Sequence, residues 1–179
     1  MNVIIFIVNN IKEGGDYLFN IGQKIVYPLQ GIGTIEDIEE KEFSGEAQHY
    51  YKIRMLHNNT DISRPTNRTE QLHIRPLSDA TTLDTILNEC THHKHNGISN
   101  RNLRARERIN ANTEKIKSGN LKDCIEVVHD LTIMNKEKPL NLNEKQLLRK
   151  AHTALVDEIS LVKQLSVEEA NNVLNQSIC

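Results

Sequence analysis

The chain has 179 residues, 37% hydrophobic and 4% aromatic, with 22 Lys+Arg against 24 Asp+Glu and a formal charge of -2. No apolar stretch approaches the ~20 residues that span a bilayer, and near-neutrality excludes a bulk polycation that binds nucleic acid by net charge alone. Cys90, Cys124 and Cys179 are odd in number and show no CxxC spacing, so neither a disulfide framework nor a zinc ribbon is expected.

Residues 1–18 form an N-terminal extension. Met1 to Val8 is apolar but lacks a basic flank and a small-residue cleavage site, unlike a secretory signal. Two readings stand side by side. One is a loosely attached N-terminal strand or tail. The other is a mis-assigned start: Lys12-Glu13-Gly14-Gly15 can be encoded by a purine-rich ribosome-binding tract, with Leu18 placed as a TTG start.

Residues 19–77 carry strand signals. Lys24 to Tyr27 is β-rich and ends at Pro28, after which Gly31 and Gly33 permit a tight loop. A charged strand is predicted over Glu36 to Phe43, then a hairpin turn at Ser44-Gly45-Glu46. Tyr51, Ile53 and Met55 alternate onto one face of the next strand. Asn58-Asn59 turns the chain. Ile62 opens a strand that Pro65 stops, because proline cannot donate to a ladder. Leu72 to Arg75 is the last predicted strand. Five short strands this closely spaced make a small, bent antiparallel sheet or barrel.

Residues 78–179 switch to helical period, giving an α+β chain. Ser78 and Asp79 can cap a helix carrying Leu83, Ile86, Leu87 and Cys90. A polar linker, His92 to Asn96, follows. A long helix is predicted from about Asn100 to Lys117, stopped by Gly119. Asn120 caps the next, with Leu121, Cys124, Ile125, Val128 and Leu131 on its stripe. Beyond Pro139, Asn143 can cap a helix burying Leu147, Ala151, Leu155 and Ile159. Ser166 and Glu169 form a capping box for the last of about five helices.

No nucleophile–base pair, P-loop or dinucleotide fingerprint is present, so no enzyme is expected. Cys90, His92 and His95 suggest a metal- or redox-responsive regulator as an alternative, testable by elemental analysis of untagged protein; a solvated linker is the plainer reading. Charge distribution is more informative. Residues 1–77 hold 8 basic and 10 acidic side chains, whereas 92–122 hold 8 basic and 2 acidic, or +6. Arg101, Arg104 and Arg108 are spaced i, i+3, i+7 and would share a helix face, with Arg106, Lys115 and Lys117 nearby. Such a row can neutralise phosphates and release counterions. Lys145 and Arg149 open the fourth helix as a second basic group.

The segment Phe19-Asn20-Ile21-Gly22-Gln23-Lys24-Ile25-Val26-Tyr27-Pro28, then Gly31-Ile32-Gly33, resembles the opening of CarD-type bacterial transcription regulators. Ile38-Glu39-Glu40 and Tyr50-Tyr51 continue the likeness. Glu114 to Leu121, Glu126 to Leu131 and Asn143 to Ala151 extend it through the helical half. The likeness covers residues 19–175. The first half alone also resembles the polymerase-binding module of transcription-repair coupling factor, but the helicase motifs of that protein are absent.

The resemblance implies a Tudor-like β domain docking on the β subunit of RNA polymerase. It also implies a helical domain touching promoter DNA, weakly and without reading sequence, at the upstream edge of the melted bubble. A cytoplasmic bacterial monomer is implied, associated with the nucleoid through polymerase and needing no cofactor. Lys41 and Arg64 stand at or beside the family's polymerase-contacting arginines. The family's groove-wedging tryptophan aligns near Ala105. Leu103 is the nearest large apolar side chain, as a replacement wedge or as a core residue.

Overall fold

The computed structural model describes residues 17–43, 46–92 and 102–178. Among the described residues five strands come first: β1 (Lys24–Tyr27), β2 (Gly31–Phe43), β3 (Glu46–Met55), β4 (Asp61–Pro65) and β5 (Arg75–Pro76). They form one antiparallel sheet in the order β4-β3-β2-β1-β5. The expected alternation holds, with Ile25, Ile35, Tyr51, Ile53 and Met55 buried on one face. Phe19 closes that core, and its N–H donates to the Tyr51 hydroxyl at 3.0 Å.

Two features bend the sheet. The β2–β3 register shifts between Ile35 and Asp37, a bulge that kinks the strand. Gly33 lies where a Cβ would meet Ile53 Cγ2 at 2.6 Å, so the strands crowd there. Arg64 of β4 thereby reaches Tyr27 of β1, three strands away, Nε to hydroxyl 2.8 Å.

Two local expectations are corrected. Gly31 and Gly33 are not a loop; they begin β2. The turn is Pro28-Leu29-Gln30, closed by Gln30 N–H on the Tyr27 carbonyl at 3.0 Å, with Leu29 at φ 64°. The strand expected over Leu72 to Arg75 shrinks to Arg75–Pro76. Leu72, His73 and Ile74 instead bond back to Arg68, Glu70 and Thr69, with His73 at φ 50°. The predicted turn residues Ser44 and Gly45 lie outside the described residues, although Phe43 and Glu46 pair on either side of them.

Among the described residues five helices follow: α1 (Ala80–His92), α2 (Ala105–Lys117), α3 (Leu121–Glu137), α4 (Leu142–Lys163) and α5 (Val167–Ile178). Their apolar stripes meet in one core containing Leu83, Ile125, Leu131, Leu155, Ile159 and Leu174. Asp79 caps α1, accepting the Thr82 N–H at 2.8 Å. Asn120 caps α3, and Ser166 with Glu169 forms the box expected at α5. Two starts differ from expectation. The second helix begins at Ala105, not Asn100, because Arg104 is extended and its N–H is held by the Glu107 carboxylate at 3.1 Å. The fourth is capped by Asn141, not Asn143: Asn141 Oδ1 accepts the Glu144 N–H at 2.9 Å, and Glu144 accepts the Asn141 N–H at 3.2 Å.

The halves meet along α4. Arg75 of β5 makes a fork to buried Glu158, at 2.7 and 2.9 Å. His57, in the β3–β4 loop, meets the buried Asp157 carboxylate at 2.5 Å. Burial raises the Asp157 pKa, while His57 pulls it down. A carboxyl raised above its unfolded value favours the native state most when protonated, and that contribution is lost as pH rises through its folded pKa. His57→Ala raises Asp157 further. It should therefore cost about 1–2 kcal/mol at neutral pH, where a buried acceptor is left unpaired. The cost should shrink toward the acid range just above ordinary carboxylate values. Paired urea titrations of wild type and variant at both pH values check this; an equal loss at both would exclude Asp157 ionisation as the cause.

Candidate nucleic-acid interface

Four of the eight basic side chains in residues 92–122 are paired within the helical half. Lys115 pairs with Glu126 at 3.2 Å, Lys117 with Glu114 at 2.9 Å, and Lys122 with Glu89 at 3.4 Å. Arg108 is more deeply engaged. Its Nε and Nη2 both donate to Glu144 Oε1, at 2.8 and 2.5 Å, and its Nη1 donates to the Leu103 carbonyl at 2.7 Å. Its side chain is 14% exposed and that of Glu144 is 3% exposed. Arg108 thus fastens the start of α2 to the start of α4.

The expected arginine row on one helix face does not form. The i, i+3, i+7 spacing requires a helix running through position 101, and α2 starts only at Ala105. Arg101 itself lies outside the described residues. Arg104 is the residue before the first turn, Arg106 is inside it, and Arg108 points into its ion pair. Arg104 and Arg106 are exposed, with no ion pair among the described residues. Lys145 and Arg149, in the first turns of α4, are also exposed and have no ion pair among the described residues. The Arg108–Glu144 bridge places these four cations at one end of the helical half.

Leu103 is 37% exposed, so the core reading of this residue is corrected. Its carbonyl is held by Arg108 and its side chain faces outward beside Arg104. A second leucine is more exposed still. Leu142, at 70%, is the most exposed large apolar side chain among the described residues, one turn before Lys145. Recognising Asn141-x-x-Glu144 as the capping box would have revealed it. That box puts Leu142 in the first turn, off the Leu147–Ala151–Leu155 stripe.

The two sheet residues separate. In the register, Arg64 opposes Tyr51 and shares its inward face, while Lys41 opposes Gln48 on the outer face. Arg64 donates to the Tyr27 hydroxyl and lies 5.6 Å over that ring. Lys41 is exposed, pairs with Glu39 at 2.9 Å, donates to Ser63 Oγ at 3.0 Å and lies 5.4 Å over the Tyr50 ring. Ser63, one residue before Arg64, is the β4 side chain that shares the Lys41 face.

Among the described residues no group of three or more His, Cys, Asp or Glu could hold a metal. Cys90 is buried, which raises its thiol pKa; the His92 side chain and His95 lie outside the described residues. Burial pushes the Cys124 thiol up to about 12. At neutral pH both are thiols, the form that is poor as a metal ligand or nucleophile.

Residues 19–78 match the family model described as CarD-like/TRCF RID domain, and residues 91–175 match the one described as CarD, C-terminal domain. The chain belongs to the CarD family. A Bacillus subtilis (strain 168) protein named "Putative transcription factor YdeB" is 41% identical over 152 residues, 85% of this chain and 97% of that protein. CarD family membership carries the role of a transcription regulator, and CarD proteins are non-catalytic. Among the described residues, no helix is long and apolar enough to cross a membrane.

Proposed function

We propose that this CarD-family chain docks on the β subunit of RNA polymerase through its sheet. Its basic helical tip then meets promoter DNA at the upstream edge of the bubble and alters the lifetime of the open complex. One observation carries the DNA half of this reading. Exposed, unpaired Arg104 and Arg106 follow an outward-facing Leu103 at a tip that the buried Arg108–Glu144 pair holds rigid. Cations beside an apolar side chain suit a surface that binds phosphates and presses on a base step. Lys145 and Arg149 extend the phosphate-binding surface. Arg101, which the sequence adds to the DNA-binding set, lies outside the described residues. Lys115 and Lys117, already paired, contribute less.

On the sheet, exposed Lys41 is the direct polymerase contact, and Arg64 supports the edge strand through Tyr27. Residues 19–77 and 78–179 are the units that carry the two contacts.

Arg104→Glu with Arg106→Glu should weaken binding to a promoter fork at least about tenfold and reduce the salt dependence by about two ion equivalents. Capture of the β subunit should be unchanged, whereas Lys41→Glu should weaken it. DNA affinity that ignores both the arginines and the salt would sink the DNA reading. Absence of polymerase in a pull-down with wild type would sink the docking reading.

A further inference from the structure

We propose that Arg75 and Glu158, with His57 and Asp157, are positioning residues that set the angle between the polymerase-docking sheet and the DNA-contacting tip. This rests on the function proposed above. The Glu158 carboxylate is 2% exposed and accepts four hydrogen bonds. Two come from Arg75, at 2.7 and 2.9 Å, and two from the Ser78 N–H and hydroxyl, both at 2.9 Å. Arg75 Nε donates to the Gly119 carbonyl at 2.6 Å. One guanidinium on the last strand therefore grips α4, the α2–α3 corner and the linker between the halves. His57, in the β3–β4 loop, grips the adjacent residue of α4, Asp157.

A buried ion pair adds little stability over apolar packing, because desolvation offsets the attraction. Its advantage is directional: a fork fixes an orientation that apolar side chains would let slide. The lever is α4. Glu158 and Glu144 are 14 residues apart on this helix, or about 21 Å. A tilt of about 10° at the clasp would move the Leu103–Arg104 end by roughly 4 Å, enough to break a hydrogen bond or salt bridge. Both contacts gain from each other only when the spacing between them matches the polymerase–promoter complex.

The test uses the full chain carrying Arg75→Ala, with Arg75→Lys and His57→Ala as milder variants. Three quantities are read: affinity for the β subunit alone, affinity for the promoter fork alone, and open-complex lifetime with polymerase. Label-to-label distances between Ala47 and Gln146 report the angle directly. Arg75→Ala should leave both separate affinities within about twofold, broaden the distance distribution, and reduce the effect on open-complex lifetime about tenfold. Arg75→Lys, which keeps the charge but not the fork, should show the same split to a lesser degree. If Arg75→Ala fails to fold, the Lys and His57 variants decide. An unchanged effect on lifetime in every folded variant overturns the positioning role while leaving the proposed function intact. A wild type that binds neither polymerase nor DNA overturns both.

Discussion

Arg108→Ala should destabilise the helical half by about 3–5 kcal/mol, although the residue sits in the most basic stretch of the chain. The cause is Glu144. Its side chain is 3% exposed, and losing Arg108 strands a buried carboxylate that keeps the single hydrogen bond donated by the Asn141 N–H. The Leu103 carbonyl also loses its donor. Arg104→Ala, four residues before Arg108 and exposed, should stay within about 0.5 kcal/mol of wild type. Urea unfolding of the two variants separates the roles. The double variant Arg108→Met with Glu144→Met should recover much of the lost stability, since it removes both buried charges together. A loss below about 1 kcal/mol for Arg108→Ala would return the residue to the DNA-facing set. A charge reversal that includes Arg108 therefore confounds folding with DNA binding, and Arg104 with Arg106 is the cleaner pair.

The two halves were legible because each rests on a local period. Tyr51, Ile53 and Met55 alternate, and Leu147, Ala151, Leu155 and Ile159 recur at helical spacing, whatever surrounds them. The caps at Asp79, Asn120 and Ser166 were legible for the same reason. What failed depended on partners distant in sequence. Nothing near Arg108 announces that Glu144, 36 residues on, takes its charge. The helix start at Ala105 moved because Glu107 caps the Arg104 N–H, and charge spacing alone could not see that competition. Gly31 and Gly33 signalled a loop, yet Gly33 serves close packing against Ile53 inside a strand. The basic total of residues 92–122 was correct as a sum and misleading as a surface. Pairing with Glu89, Glu114, Glu126 and Glu144 withdraws four of its cations.

Gly119→Ala should cost about 2–5 kcal/mol and act on the junction between the halves rather than on either core. Gly119 ends α2 at φ +72°, where an L side chain is strained by about 1–2 kcal/mol. An added Cβ would also lie 2.7 Å from the His73 carbonyl oxygen, a backbone atom that cannot rotate away. His73 is itself held at φ 50° by its bond to Glu70, so the β half has little room to yield. Overpacking of this kind adds about 1–3 kcal/mol. Gly22→Ala is the matched control: φ is +85°, but nothing lies within 4 Å of the new Cβ, so only the backbone strain should register. The excess of Gly119→Ala over Gly22→Ala in urea unfolding then measures how tightly the halves are pressed together. Equal losses would show that the His73 contact yields freely, leaving the Arg75–Glu158 and His57–Asp157 pairs and the packing of Leu29 on the helical core to hold the junction.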